Sequence, residues 1–273
     1  MKRLMAAMAC PAILLLVCAG GSQTRAAAVG DSAATASFRL GPVKQLRKGV
    51  DLWPLIVKPD TPAEERVNEL LTRLNTRLAH AVKDCDTGYT ESIKDTDTAA
   101  KKKYPVSEDW SRTVNVTMDG PRFLSLLASD AIDCGGVHPD NGQMAMVFDM
   151  TTGTPVDWTK MVPASAGAKP YTDSSTDGST IGALIMPALK KMAVTNSSSN
   201  CANVFEESQS FLLWPDAEHG KLVAQPFDLP YAVQACGDEI DLSMAQARKL
   251  GFDETMLTAI EQAHRRYAVA RRP

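Results

Sequence analysis

The sequence predicts an α+β domain in which an antiparallel β-sheet meander packs two or three amphipathic helices on one face. Two observations support this class. Several short apolar segments are joined by turns rich in Gly, Pro and Asp, and strands joined by short turns pair antiparallel. Other segments repeat apolar residues at the spacing of a helix with one buried face.

The first predicted elements are a strand and a long helix. Residues 50–57 are rich in apolar residues, and Pro54 restricts this strand to a sheet edge or a bulge. A helix is predicted over residues 62–83, with Thr61 as its cap and Glu64 completing a capping box. Its apolar residues recur at helical spacing, so one face is predicted to pack on a sheet.

The central part of the chain predicts hairpin strands. Residues 113–118 alternate, which predicts that three apolar side chains share one face: Val114, Val116 and Met118. A strand over residues 123–134 is followed by one with apolar residues at 144, 146 and 148. An unusual loop, residues 134–142, joins these two strands.

The C-terminal part predicts two further helices and another hairpin. Residues 181–192 have helical spacing, and Pro187 is predicted to kink or split that helix. Strands are predicted at residues 210–214 and 222–227, with a turn between them. Asp253 is the predicted cap of the final helix.

The first 28 residues have the pattern of a secretory signal peptide. A charged start precedes an apolar run over residues 4–19, and residues 26–28 form an A-x-A cleavage site. The protein is therefore expected to be periplasmic or secreted. Cys18 follows the bulky Val17, which does not suit lipoprotein processing, so an anchor at Cys18 is not favoured.

The mature chain is predicted to form one domain. Residues 29–37 are small and polar, without periodicity, and are expected to be a flexible lead. Residues 38–273 contain no repeat and no low-complexity linker, so they are expected to form a single α+β domain. No transmembrane segment is expected after the signal peptide.

The charge of the mature chain excludes one class of partner. Removal of residues 1–28 leaves 26 basic and 32 acidic residues, a net charge of −6. Nucleic acid is not expected as a partner, because its backbone requires a basic surface. A cationic partner is compatible with this charge, and ordinary solubility is the alternative explanation.

Four cysteines follow the signal peptide: Cys85, Cys134, Cys201 and Cys236. An even number in an exported chain predicts disulfides, and four cysteines allow three connectivities. Pairing in the order of the chain favours Cys85–Cys134 and Cys201–Cys236. There is no C-x-x-C and no nearby pair of histidines, so neither a metal site nor a cofactor is predicted.

The loop over residues 134–142, with the sequence CGGVHPDNG, is the candidate binding site. Its predicted binding residues are Gly135, Gly136, His138 and Asp140. The carboxylates of Asp133 and Asp140 could orient His138 or share a metal with it, but one His and two Asp do not make a metal site without ligands from elsewhere. A structural loop, in which the glycines adopt positive φ, is the alternative. Tyr231 is a further candidate as an aromatic anchor, with core packing as its alternative.

No catalytic residue is predicted, because the familiar catalytic signatures are missing. The sequence contains no H-E-x-x-H, G-x-S-x-G, P-loop or G-x-G-x-x-G motif. A pair of carboxylates assembled in space would not be visible in sequence spacing. A hydrolase that uses His138 and Asp140 therefore stays open as an alternative.

Residues 110–252 resemble the RsiV-type extracytoplasmic domain in two stretches. The first stretch is similar to that family's succession of a Gly-Gly-Ala-His loop, a strand, a Thr-Gly turn and a Leu-Asp-Leu segment. In this chain these parts are the loop at 135–139, the strand to Phe148, the Thr-Gly turn at 152–153 and the segment 156–161. The later stretch is similar to the family's aromatic strand, Pro-Tyr segment and closing strand: residues 211–214, 227–231 and 237–242. Val137 replaces the usual alanine.

The resemblance implies an exported recognition domain built from a sheet with packed helices. The family occurs in anti-sigma factors that sense lysozyme and beside the catalytic domain of PdaC-type polysaccharide deacetylases. The expected partner is therefore a cationic protein such as lysozyme, or cell-wall glycan. The alternatives are a cell-envelope hydrolase and a structural envelope protein without a ligand.

Overall fold

The computed structural model describes eight stretches of the chain: residues 38–92, 110–135, 139–171, 182–197, 201, 203–207, 210–227 and 229–270. All of them belong to one compact unit, Thr35–Pro273. The predicted signal peptide and lead, residues 1–37, lie outside the described residues. So do residues 136–138, at the centre of the candidate loop.

Six strands form the first sheet in chain order: β1 (Gln45–Arg47), β2 (Val50–Asp51), β3 (Trp110–Asp119), β4 (Phe123–Ile132), β5 (Asp140–Asp149) and β6 (Thr154–Pro155). Neighbouring strands pair antiparallel, except that β2 and β3 are parallel. Five strands form the second, antiparallel sheet, in the order β11-β10-β9-β8-β7. These are β7 (Lys169–Pro170), β8 (Ala183–Ile185), β9 (Ser210–Asp216), β10 (Lys221–Phe227) and β11 (Ile240–Ser243).

The helices are α1 (Pro62–Ser92), α2 (Pro187–Asn196), α3 (Val204–Glu207), α4 (Met244–Lys249) and α5 (Glu254–Ala270). Shorter 3-10 helices cover Trp158–Lys160, Ala164–Ala166 and Tyr231–Cys236. The α+β class and its antiparallel pairing are therefore confirmed. The structure adds that the strands form two sheets.

Two helix boundaries differ from the prediction. The helix α1 continues past residue 83 to Ser92, because Cys85 and Tyr89 extend its buried face. Pro187 does not kink a helix: it begins α2, where its missing N–H costs nothing. The residues just before it form β8.

The predicted strand over residues 50–57 is a strand only at Val50–Asp51. Beyond it, two side chains of α1 bond the extended backbone. The Asn75 amide accepts from Trp53 N at 2.8 Å and donates to Trp53 O at 3.1 Å. The Asn68 amide does the same for Ile56, at 2.8 and 2.9 Å. Helix side chains thus replace a neighbouring strand on this edge of the segment. On its other edge, Gly41 N donates to Leu55 O and Val57 N donates to Arg39 O, in an isolated antiparallel bridge between Leu40 and Ile56.

The first sheet is covered on both faces. On one face, α1 packs its Val67 and Leu71 in a cluster with side chains of β4 and β5 that include Leu124 and Phe148. The apolar residues of the other face pack in a larger cluster with side chains of the second sheet and α5. The first sheet contributes Phe123, Leu127, Ala145 and Val147 to this cluster. Alternate side chains of β4 and β5 therefore pack into two different apolar clusters, one on each face of the sheet.

A bulge in β3 contradicts the predicted common face of its apolar residues. The pairing of β3 with β4 shifts register between Val116 and Met118. As a result Val114 packs in the cluster with α1, whereas Met118 packs in the cluster between the sheets. An extra residue in one strand reverses the side-chain alternation that follows it.

Two disulfides join distant elements. Cys85 of α1 is bonded to Cys134, just after β4, and Cys201 is bonded to Cys236 at the end of the last 3-10 helix. These are the pairings that the chain order favours, and they fit an extracellular or periplasmic protein. Within the described stretches no helix has the length and apolar character needed to cross a bilayer.

Asp149, at the end of β5, is held by two neighbours. Its carboxylate accepts hydrogen bonds from Thr151 Oγ1 at 2.6 Å and from Thr151 N at 2.9 Å, and it pairs with Arg122 Nη2 at 3.0 Å. Burial opposes the charged form, but these hydrogen bonds and the guanidinium lower the pKa of Asp149 below its ordinary 3.8. Because its pKa is lower in the folded state than in the unfolded chain, this carboxylate stabilises the fold at pH values above its ordinary pKa. The stabilisation is lost as the pH falls through the folded-state pKa.

We expect Asp149→Asn to lower the free energy of unfolding by about 1 kcal/mol near neutral pH, because the charge-assisted bonds weaken. The difference from the wild type should shrink below about pH 4, where the wild-type carboxyl also becomes neutral. Denaturant titrations at several pH values measure this difference. A difference that stays constant down to about pH 2 would contradict the assignment.

Candidate functional site

A cleft of about 820 Å³ opens between the two sheets, beside the hairpin of β4 and β5. Its lining comes from three strands of the first sheet, from β10 and from the segment that follows β10. The lining residues are Ser111, Thr113, Ser129, Asp130, Ala131, Asp140, Asn141, Gly142, Gln143, Gln225, Pro226, Phe227, Leu229, Gln234, Ala235 and Gly237.

The floor of the cleft is one polar end of a sheet face. Thr113, Ser129 and Gln143 lie side by side across β3, β4 and β5, and Ser111, Ala131 and Asn141 form the next row. Further along the strands the same face is apolar and enters the core between the sheets. Hydroxyl and amide groups are costly to bury without partners, so this end of the face favours exposure to a ligand or to water.

The opposite wall is formed by β10 and the 3-10 helix Tyr231–Cys236. Gln225 Nε2 donates to Gly237 O at 2.9 Å, which ties this helix to β10. The Cys201–Cys236 disulfide fixes its end covalently. Gln225 Oε1 is buried and has no hydrogen-bond partner among the described residues. Phe227 supplies an aromatic ring, which packs edge-on against Tyr171 with ring centroids 5.7 Å apart.

Gln234 links this wall to the start of β5. Its Nε2 donates to Asp140 Oδ1 at 3.0 Å and contacts Asn141 O at 3.3 Å, while its Oε1 accepts from Asn141 Nδ2 at 3.3 Å. All three residues are solvent-exposed or half-exposed. The amide therefore bridges the two sides of the cleft at its rim.

Two acidic residues are among those that line the cleft, and their side chains differ in their surroundings. Asp130 is almost buried, pairs with Arg112 Nη1 at 2.7 Å and accepts from Trp110 Nε1 at 2.8 Å, so its charge is compensated. Asp140 is exposed, and its only hydrogen bonds to described groups come from Gln234 and from the backbone N of Asn141. Asp140 is thus the carboxylate available to a ligand.

The predicted site residues have different outcomes. Asp140 lines the cleft. Gly135 has a φ of 75°, and its N donates to Asp133 Oδ1 at 3.1 Å. Gly136 and His138 lie outside the described residues, so their part in a site stays a prediction. Tyr231 begins the 3-10 helix of the wall, and its side chain is not described.

The cleft offers hydrogen-bonding chemistry. Across the described stretches no group of three His, Cys, Asp or Glu side chains is placed to hold a metal ion. The floor and walls supply hydroxyl groups, which donate and accept, and side-chain amides, which do both at separate atoms. Such a surface suits a ligand that itself carries many donors and acceptors.

The sequence prediction missed most of the cleft. The missed polar residues are Ser111, Thr113, Ser129, Asn141, Gln143, Gln225 and Gln234. A signal was present in β5, where Asn141 and Gln143 occupy the same alternate positions as the core residues Ala145 and Val147. A polar start to an apolar stripe is that signal, but it is also typical of a strand that ends in solvent.

Solved structures similar to this chain include two proteins of the DUF3298 family. One is a member of the DUF3298 family from Bacteroides fragilis, with a TM-score of 0.46, 10% identity, and coverage of 84% of this chain and 99% of that chain. The other is a DUF3298 family protein from Pseudomonas aeruginosa, with a TM-score of 0.33, 12% identity, and coverage of 78% and 90%. No family model and no curated protein match the chain. The resemblance to the RsiV-type domain stays a prediction.

Proposed function

We propose that this chain is an exported cell-envelope binding protein and that cell-wall glycan is the ligand of its polar cleft. The signal-peptide pattern and the two disulfides support export. The observation that supports a glycan ligand is the polar floor, where side chains of three strands present hydroxyl and amide groups side by side. Sugar hydroxyls both donate and accept, as these groups do.

The shape of the site favours a glycan over a folded protein such as lysozyme. Small-ligand sites are concave and typically enclose about 300–1,000 Å³, and this cleft encloses about 820 Å³. A protein partner would bury a broad patch of about 800 Å² on each side. The net charge of −6 remains the support for a cationic protein, which we treat as the competing ligand.

Binding is favoured over hydrolysis of a glycosidic bond. Hydrolysis of a glycosidic bond typically needs two carboxyl groups in complementary roles. Of the two acidic residues at the cleft, Asp130 has its carboxylate engaged by Arg112 and Trp110. The cleft itself argues against a structural protein without a ligand, because its exposed polar floor has no evident structural role.

The test is calorimetric titration of the mature protein with soluble peptidoglycan fragments. Gln143→Ala removes one floor amide and is expected to weaken binding by about 10-fold, a loss of about 1.4 kcal/mol. Gln45→Ala is the matched control, since Gln45 lies on β1 of the same sheet and outside the cleft. It should leave the affinity unchanged.

The same titration with lysozyme separates the two ligands. Stoichiometric, salt-sensitive binding of lysozyme without binding of the fragments would replace the glycan by a cationic protein. Equal effects of Gln143→Ala and Gln45→Ala on fragment binding would remove the cleft as the binding site. His138→Ala tests the predicted loop residue in the same assay.

A further inference from the structure

We infer that the ligand is a glycan that carries free amino groups, and that Asp140 selects it over the acetylated form. This inference rests on the proposed function, because it names the ligand class of the same cleft. It is carried by three features of the described residues: the charge of the lining, the orientation of the Asp140 carboxylate and the groups around it.

The charge of the lining has one sign. Among the described lining residues there is no Lys, Arg or His, and the acidic members are Asp130 and Asp140. Asp130 forms an ion pair with Arg112, whose side chain is only 6% exposed. The remaining uncompensated charge is the Asp140 carboxylate. An anionic group placed directly against this carboxylate would be repelled, whereas an ammonium group there would supply the missing countercharge.

The Asp140 carboxylate is oriented by its neighbours. Asn141 N donates to Oδ1 at 2.8 Å, and Gln234 Nε2 donates to the same oxygen at 3.0 Å. No described residue donates to Oδ2. One carboxylate oxygen thus positions the group, and the other is free to accept from a ligand. Because the Asp140 side chain is already held in place, binding costs little of its conformational entropy.

The surroundings of Asp140 suit an ammonium group on a sugar ring. An ammonium has three donors, and besides Oδ2 the nearby amide oxygens of Gln234 and Asn141 are acceptors at the same rim of the cleft. The hydroxyls of Ser111, Thr113 and Ser129 lie further along the floor, where ring hydroxyls can be bound. An acetamido group is neutral and has one N–H, so it would leave the carboxylate without a countercharge.

The experiment uses two probes that differ only in acetylation: a tetramer of β-1,4-linked glucosamine and its fully N-acetylated counterpart. At low salt the mature wild-type protein is expected to bind the free-amine tetramer at least about 10-fold more tightly, because charge-assisted hydrogen bonds are about twice as strong as neutral ones. Asp140→Asn keeps an oxygen acceptor for Gln234 but removes the charge. It should abolish the preference while changing the affinity for the acetylated tetramer by less than about 2-fold.

A control variant distinguishes the role of Asp140 from nonspecific attraction between a cationic sugar and an acidic protein. Asp84→Asn changes the net charge by the same amount at an exposed position of α1, outside the cleft, and should leave the preference intact. A preference that falls equally in both variants would overturn the role of Asp140. Equal binding of the two tetramers, with Gln143→Ala weakening both, would overturn this inference and leave the proposed function standing. Absence of binding to either tetramer would overturn the inference, and the peptidoglycan-fragment titration then decides the proposed function separately.

Discussion

Replacement of Gly153 by alanine is expected to lower the free energy of unfolding by about 3 kcal/mol or more. Gly153 follows β5 with a φ of 70°, and a Cβ at this position would overlap the carbonyl oxygen of Ala63, in the first turn of α1. The neighbouring Thr152 O accepts from Arg66 Nε at 2.7 Å, so the turn and the helix are held together. Neither backbone can move away without loss of contacts. Denaturant unfolding followed by tryptophan fluorescence measures the loss.

Gly49 provides the control for this prediction. It also has positive φ, at 80°, but a Cβ there would have no atom within 4 Å. Gly49→Ala should therefore cost only the strain of a left-handed alanine, about 1 kcal/mol. Similar losses for the two variants would mean that backbone conformation, rather than crowding against α1, determines the cost at Gly153.

The double variant Cys201→Ser/Cys236→Ser is expected to lose about 4 kcal/mol of stability, since the bond closes a loop with a sequence separation of 35. It should also loosen the wall of the cleft, because Cys236 ends the 3-10 helix that carries Gln234. We expect faster amide exchange at Val233 and Gly237, whose N–H groups bond within this segment. The proposed glycan binding should weaken accordingly.

Leu71→Ala separates the local effect from general destabilisation. Leu71 is fully buried in the cluster between α1 and the first sheet, and its truncation typically costs about 2–5 kcal/mol. It should lower the free energy of unfolding by an amount comparable to that of the cysteine variant. Amide exchange at Val233 should then rise no more than the rise in global unfolding accounts for. If both variants loosened the wall equally, the disulfide would have no special role in shaping the cleft.

The parts of the fold that local sequence patterns determine were predictable. A capped amphipathic helix, alternating strands and four cysteines led to α1, to the strands β4, β5, β9 and β10, and to both disulfide pairs. The bulge in β3 was not predictable, because an extra residue leaves the alternation of residue types intact. The bonding of residues 53–56 by Asn68 and Asn75 was also hidden, since polar residues on a helix are typical of its solvent side.

The candidate site was predictable only where it touches an unusual motif. Asp140 belongs to the CGGVHPDNG loop and does line the cleft. The other wall comes from residues about a hundred positions away, which only the packing of the second sheet against the first brings near. Sequence spacing carries no information on such proximity. The polar residues of the floor are individually ordinary, and their row across three strands depends on the register.

The polar floor also sets a limit on how this protein could be stabilised. The face of β3, β4 and β5 that carries it is apolar at one end and polar at the other, so the interior between the two sheets stops where Thr113, Ser129 and Gln143 begin. Apolar residues at these three positions would favour closure of the sheets and a larger interior. A selection for thermal stability alone would thus tend to erase the cleft, and its persistence would depend on selection for the proposed binding of a ligand.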